Sequence, residues 1–349
     1  MQPVEVLEPD LVGMTQPELE SFFNSFGKER FRACQVMRWI HQGLEVSFEG
    51  MTNLSKSLRT ELGDKATITS PEVLDVRRSQ DDTRKFLMRF RDGCCVETVL
   101  IPSEDHDTLC VSTQVGCAMG CRICRTARMG FIRNLSGGEI VAQLLEVRRR
   151  EPQSRITNVV LMGMGEPLAN FDQTVKAIRI MSHPNGPQIS WRRLTVSTVG
   201  LPHRIRELGE TVRAKLAVSL NAVTDDQRNS IMPINHTYPL KELLSALREY
   251  PLARRDRITI EYVMIDGFND SDSDARQLAR MLNPIRAKVN LIPFNDEFSE
   301  DLKAPKPERV ARFQEILMSK SLVAIVRRSR GRDILGACGQ LAGEAGSLT

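Results

Sequence analysis

No apolar run in this chain approaches the ~18 residues that a helix needs to cross a bilayer, which excludes a helical membrane span. The opening Met-Gln-Pro-Val-Glu-Val-Leu-Glu-Pro-Asp is acidic and carries proline, without the basic start and apolar core of a secretory signal. Aromatic residues are scarce at 5%, with 2 Trp and 3 Tyr, so little is available for a stacking platform that grips single-stranded nucleic acid. The 8 cysteines in 349 residues are too few for a disulfide framework and imply reduced thiols in the cytoplasm. Low-complexity tracts and short-period repeats are absent. What is there is the composition of a folded protein. Hydrophobic residues make up 41%, and the length suffices to bury a large core in about two or three domains.

The net charge of +4 is small but unevenly distributed. Residues 1–30 hold Lys28 and Arg30 against six acidic residues, a net −4 that leaves +8 for the remainder. Residues 117–155 carry Arg122, Arg125, Arg128, Arg133, Arg148, Arg149, Arg150 and Arg155 against Glu139, Glu146 and Glu151, net +5. Further arginines pair at 192/193, 254/255 and 327/328, followed by Arg330 and Arg332. Any single pair reads equally well as a solvated helix face. Together they point to a polyanion, because guanidinium meets phosphate as a bidentate fork. With few aromatics, contacts to the backbone of a folded RNA are expected.

Residues 15–62 read as helical, with Pro17–Phe26 and Arg30–Gly43 separated at Gly27. Short strands are expected at 73–76, 85–90 and 96–100, the last two joined through Asp92-Gly93, a hairpin signal. From residue 107 strand-like runs at 108–115, 156–162, 194–198, 215–220, 258–264, 289–293 and, more weakly, 322–327 alternate with helix-like stretches at 137–150, 171–182, 202–209, 239–249, 272–282 and 307–319. Ser136 and Glu139 fit a capping box at the first of these helices. Such alternation predicts βαβ units on a parallel sheet. About six units make an α/β fold of the TIM-like kind, an incomplete (β/α)6 barrel, with a small N-terminal helical domain and a short β extension. No Gly-x-Gly-x-x-Gly follows the first of these strands, which counts against a doubly wound nucleotide fold. The expected organisation is an acidic, flexible leader (1–14), a helical accessory domain for RNA (15–70), a β extension (71–106), the partial barrel (107–328) and a C-terminal segment (329–349).

Cys117-Ala-Met-Gly-Cys121-Arg-Ile-Cys124 directly follows the first barrel strand. Structural zinc sites usually take four ligands from paired sets; no partner pair lies nearby, and His106 is a weak fourth candidate. Three cysteines suit a four-iron cluster with one iron left open to a substrate or cofactor, hence a catalytic centre. Polar and Gly-rich signals recur at the expected carboxyl ends of the strands, where such barrels place active sites. They are Gly163-Met-Gly165-Glu166-Pro167, Ser197, Ser219-Leu220-Asn221 and Asn295. Glycines permit close backbone approach, and a carboxylate beside them can hold an ammonium group. Cys110, inside the first barrel strand, has the setting of a thiol packed as a small hydrophobe. Cys338 lies between glycines with basic residues upstream, a setting that favours thiolate.

The Cys-x3-Cys-x2-Cys spacing resembles that of the radical S-adenosylmethionine (SAM) enzymes. Cys110-Val-Ser-Thr-Gln-Val-Gly-Cys117, Met162-Gly-Met-Gly-Glu-Pro-Leu168, Val196-Ser-Thr198, Met232-Pro-Ile-Asn235, Glu261-Tyr-Val-Met264 and Ala337-Cys-Gly-Gln-Leu-Ala-Gly343 resemble the RlmN family, dual-specificity 23S rRNA and tRNA adenine-C2 methyltransferases, from about Glu18 to Gly343. The resemblance implies a radical SAM partial barrel, with a [4Fe-4S] cluster on Cys117, Cys121 and Cys124. It implies SAM held by Gly165, Glu166, Ser197, Ser219, Leu220, Asn221 and Asn295. Cys338 would be methylated by one SAM and would lose a hydrogen from that methyl to the radical made from a second. The methylene carbon would then add to adenine C2, and release would leave a Cys110–Cys338 disulfide. Glu97 matches the family's proton acceptor, a role Cys110 also fits. An electron donor of the flavodoxin or ferredoxin type and a monomeric state in the cytoplasm go with this reading. Asn221 stands where the family has His, and Ile123 where it has an aromatic residue. Cys94 and Cys95 match nothing in the family and read as structural. The alternatives are a Cfr-like adenine-C8 methyltransferase and a zinc-stabilised RNA-binding protein without catalysis.

Overall fold

A computed structural model describes residues 8–295, 301–327, 329–337 and 339–342. The N-terminal unit packs three helices, α1 (Gln16–Ser25), α2 (Phe31–His41) and α3 (Lys56–Lys65). Thr15 and Glu18 close a capping box on α1, each satisfying a donor that the first helical turn leaves open. Residues 9–14, grouped above with the leader, are instead part of this unit. Leu11 and Val12 are fully buried, and Asp10 ties them down by accepting from the Val12 and Thr69 backbone N–H groups.

An antiparallel meander follows: β1 (Glu72–Arg78), β2 (Arg84–Arg89) and β3 (Cys95–Ile101). Gly93, at φ +83°, supplies the left-handed turn residue the β2–β3 hairpin requires. β4 (Asp107–Cys110) pairs antiparallel with β3 on one side and parallel with β7 (Ile156–Leu161) on the other. The chain between them forms a two-stranded ribbon, β5 (Gln114–Gly116) and β6 (Phe131–Asn134), around the short helix α4 (Arg125–Arg128), then α5 (Gly137–Arg150). The run expected as one strand from 108 to 115 is thus broken. The backbone at 112–114 is bonded instead to Gln143 of α5 and to Met164. β6 was not expected, because Phe131 and Ile132 are both exposed and show no alternation.

Beyond β7 the barrel repeats α6 (Phe171–Ser182), β8 (Leu194–Thr198), α7 (Pro202–Thr211), β9 (Lys215–Ser219), α8 (Asp225–Ile231), α9 (Leu240–Glu249), β10 (Ile258–Met264), α10 (Asp272–Leu282), β11 (Ala287–Pro293), α11 (Pro307–Ser319) and β12 (Val323–Val326). The strands from β4 to β12 in this series run parallel in sequence order, and with the meander they form a 10-stranded sheet ordered β1-β2-β3-β4-β7-β8-β9-β10-β11-β12. This is the expected partial barrel, with the extension continuous with its first strand. β10 shows why such strands form: Ile258, Ile260, Tyr262 and Met264 alternate with period two and are buried, Tyr262 stacking on Phe313 of the helix that follows β11. Helices α5 and α10 begin at capping boxes, Ser136/Glu139 and Ser271/Asp274. Among the described residues no helix is long and apolar enough to cross a membrane.

After β12 the chain returns across the open side of the sheet to the meander. Gly331 N donates to Asp81 at 3.0 Å, and Asp333 accepts from Ser79 Oγ and Gln80 N. The turn between β1 and β2 is therefore the landing point of the C-terminal segment.

Candidate active site

The three-cysteine loop is held at both ends and in the middle. Cys117 N donates to Gly130 O (2.8 Å), Arg122 N to Ile231 O (2.9 Å), and Arg125 N to Gly339 O (2.6 Å). Cys117 and Cys121 are buried, Cys124 is half-buried, and Cys121 packs against Ile231 and Met232. Burial pushes the Cys117 thiol up to about 12, with Cys124 and Glu166 adding to the effect. Cys121 is raised by burial and then by Cys124 and Cys117. These thiols therefore stay protonated until a metal centre takes them as thiolates.

Among the described residues no three His, Cys, Asp or Glu side chains close on a single ion. A four-iron cluster makes no such demand, because each cysteine binds a different iron at a separate corner. The donor set, three soft sulfurs on one loop, fits that group. His106 lies at the opposite end of β4 from this loop and is no fourth ligand.

The ends of β7, β8 and β9 face the loop. Gly165 has φ +98°, and a Cβ there would meet Gln114 Cβ at 2.5 Å, so only glycine fits. Gln114 accepts from Glu166 N at 2.8 Å. Glu166 is fully enclosed; its carboxylate accepts from Leu168 N (2.9 Å) and Val199 N (2.8 Å), bridging the loops after β7 and β8. Burial raises this carboxyl to about 7 despite those bonds. Ser197 and Ser219 are half-buried, with no hydroxyl partner among the described residues.

Asn295 Oδ1 accepts from Arg332 (2.9 Å), and its buried Nδ2 has no partner among the described residues, which leaves a donor for a ligand. Leu220 is buried, its N–H on Glu261 O. Asn221 adopts φ +59°, which asparagine tolerates better than most residues. Its side chain accepts from Val263 N at 2.9 Å and its carbonyl from Asn269 Nδ2 at 2.7 Å. The polar groups of Glu166 and Asn221 thus brace the rim, while the Ser197 and Ser219 hydroxyls and Asn295 Nδ2 have no partner among the described residues.

Sequence reasoning missed Arg228, which is wholly buried on α8. It donates to Leu220 O (3.1 Å), Asn235 Oδ1 (3.0 Å), Ser219 O (3.3 Å) and Val199 O, stapling the ends of β8 and β9. Burial lowers it to about 10. In Asp225-Asp-Gln-Arg-Asn-Ser-Ile231 it reads as one more surface charge, and only Asn235 of the Met232-Pro-Ile-Asn235 motif hints at a partner.

On the inner face of the sheet, Lys85 of β2 lies opposite Val99 of β3, which lies opposite Cys110 of β4. Directly opposed residues share a face, and Glu97, two residues from Val99, joins them there. Cys110, Glu97 and Lys85 are each buried, and Lys85 Nζ sits 2.8 Å from Glu97 Oε1. A buried network fixes the strands beneath: Gln143 accepts from Thr98 (2.7 Å) and Ser112 N (2.9 Å), and Ser112 Oγ donates to Glu97 O (2.6 Å).

The C-terminal segment docks over this face. Ala342 N donates to Glu97 Oε2 at 2.8 Å, and Thr126 Oγ1 to Leu341 O at 2.6 Å. Cys338 lies outside the described residues, while Ala337 and Gln340 beside it are buried, with Ala337 N on Gln340 Oε1 at 3.1 Å. Cys94 ends the β2–β3 turn and Cys95 opens β3, with thiols raised mainly by burial, so they are not activated.

The arginine cluster at 117–155 is divided by the fold. Arg133 is spent on Glu139 (2.8 Å) and Asp92, Arg148 on the Pro187 and Ile156 carbonyls, and Arg149 and Arg150 on Glu146. Arg122, Arg125 and Arg128 lie in or just after the cysteine loop, and Arg122 donates to Ser230 O at 3.4 Å.

Residues 9–68 match the ribosomal RNA large subunit methyltransferase N-terminal domain, and residues 111–279 the radical SAM superfamily. The chain is 50% identical to the dual-specificity RNA methyltransferase RlmN of Syntrophotalea carbinolica, over 96% of this chain and 90% of that one. It is also 50% identical to that of Geotalea uraniireducens, over 96% of each. A crystal structure of a radical SAM methyltransferase from Sphaerobacter thermophilus superposes with a TM-score of 0.90 at 43% identity, covering 96% of this chain and 99% of that one.

Proposed function

The chain belongs to the RlmN family of dual-specificity RNA methyltransferases, and on that premise we propose that it makes 2-methyladenosine in 23S rRNA and in tRNA through a methyl group carried on Cys338. It is a radical SAM RNA methyltransferase that uses a [4Fe-4S] cluster and SAM. When bound, these supply an electron, a 5′-deoxyadenosyl radical and the methyl group. In this reading Cys117, Cys121 and Cys124 hold the cluster. Gly165, Ser197, Ser219, Leu220 and Asn295 line the SAM site, which Glu166 and Asn221 shape. The S-methyl of Cys338 loses a hydrogen atom, and its carbon adds to adenine C2, an electron-poor position with no nucleophilic lone pair. Glu97 accepts the C2 proton, and Cys110 releases the product by pairing with Cys338. The chain's part is orientation and exclusion of side reactions. Electrons come from a flavodoxin- or ferredoxin-type donor to a cytoplasmic monomer.

The observation that carries this reading is the pair of anchors that directly follow Cys338 in the chain. Gly339 O is bonded to the N–H of Arg125, the residue after Cys124, and Ala342 N is bonded to Glu97. One short segment thus joins the cysteine loop to the Cys110–Glu97 face. The test replaces Cys110 with Ala in cluster-replete enzyme. A covalent RNA–protein adduct through Cys338 is expected, because release stalls after addition. Its absence while Cys338 is methylated overturns the mechanism, and 8-methyladenosine in nucleoside mass spectra overturns the regiochemistry.

A further inference from the structure

Lys85 has no part in the chemistry above, yet it shares the Cys110–Glu97 face, one strand beyond Glu97. Lysine is almost never fully buried unless paired, and Lys85 is 6% exposed. Its Nζ sits 2.8 Å from Glu97 Oε1 and also donates to Leu335 O at 3.4 Å. The other carboxylate oxygen takes Ala342 N at 2.8 Å. The pair therefore grips the C-terminal segment on both sides of residue 338. A buried ion pair gains little over well-packed apolar side chains of similar volume, so stability alone does not account for it. A carboxylate at this depth without a cationic partner takes up a proton, and a protonated Glu97 cannot accept one from substrate.

We propose that Lys85 is a positioning residue that keeps Glu97 ionised and aimed at the adenine of the adduct; this rests on the reading of Glu97 as proton acceptor. In the step it serves, the C2–H bond breaks, its electron pair stays in the purine ring and the proton goes to a Glu97 oxygen. Lys85 takes no part in that transfer. It acts through Glu97 and not on the cluster, SAM or the methylation of Cys338.

The test uses holoenzyme and RNA with Lys85→Met, Lys85→Arg, Glu97→Gln and the double variant Lys85→Met/Glu97→Gln. Iron content, Cys338 methylation, turnover and covalently held RNA are measured for each. Lys85→Met is expected to keep its iron and its methylated Cys338, to lose turnover by about a hundredfold, the scale of a general base, and to accumulate adduct. Lys85→Arg, which retains the charge, should recover part of the turnover. Against a Glu97→Gln background, Lys85→Met should cost nothing further. Should Lys85→Met alone not fold, the double variant carries the test, since it leaves no unpaired buried charge. Wild-type turnover in Lys85→Met, or a further loss of turnover in the double variant relative to Glu97→Gln, overturns the proposal. If Glu97→Gln holds adduct and Lys85→Met does not, Lys85 alone is misassigned. If Glu97→Gln turns over normally, the reading of Glu97 and this proposal fall together.

Discussion

Around Cys117, Cys121 and Cys124 most anchors come from the barrel, at Gly130, Ile231 and the strand ends stapled by Arg228, and one, Gly339, comes from the C-terminal segment. Across the sheet, at Lys85 and Glu97, the partners come from β2, β3, β4 and a C-terminal segment some 240 residues away in sequence, as the separation of Ala342 from Glu97 records. The first region is a preorganised cradle of backbone bonds between neighbouring strands. The second is a clamp of a few side-chain contacts on a segment that has landed there. The difference teaches a division of labour. Cofactor chemistry needs fixed geometry, whereas in the proposed reaction Cys338 has to serve both the cysteine loop and the Cys110–Glu97 face.

The largest effect should come from the cradle. Alanine at Cys121 is expected to abolish iron incorporation and all turnover, because a four-iron centre with one open iron has no spare protein ligand. Iron and sulfide analysis after anaerobic reconstitution checks this, and stoichiometric iron in the variant would break the comparison. Gly165→Ala comes next. Its φ of +98° and the 2.5 Å approach to Gln114 put the cost at about 1–3 kcal/mol, read as a lower Tm and weaker SAM binding in calorimetry. Docking of residues 331–342, followed by hydrogen exchange, should be unchanged. The smallest effect belongs to the clamp. Asp333→Ala removes the acceptor for Ser79 and Gln80 at an exposed site. It should leave iron and SAM binding intact, quicken exchange at 331–337, and slow turnover only about threefold, the scale of a lost surface contact. An equal loss of SAM affinity would mean that the two regions are not separable.

Much of this molecule was legible before any coordinates. The βαβ alternation, the capping box at Ser136, the Asp92-Gly93 hairpin and the cysteine spacing are local signals, set by side-chain period, cap chemistry and ligand count. Lys85 and Arg228 were not legible. Arg228 stands in a polar stretch and Lys85 opens a strand beside Arg84, and nothing in their neighbours shows that the fold will bury the charge. The arginines at 133 and 148 are hidden for the same reason, since Asp92 and Pro187 become their partners only on folding, whereas Glu146 stands three and four residues before Arg149 and Arg150, a local helix spacing. The 9–14 stretch was assigned to a loose leader because its acidity outweighed Leu11 and Val12. In the fold Asp10 spends its charge on backbone N–H groups and both apolar residues go inside.

The sequence by itself determined the kind of chemistry: three thiols at fixed spacing, a glycine turn with its carboxylate, and strands whose carboxyl ends form one rim. Those follow from short-range rules that hold wherever the segment lies. Only the tertiary structure decided which charges are paired and which groups face one another. Lys85, Glu97 and Cys110 meet through strand register, and Leu335 and Ala342 reach them because the chain turns back across the open side of the sheet. Register and chain return are long-range properties, fixed by burial of the whole core and not by any window of residues.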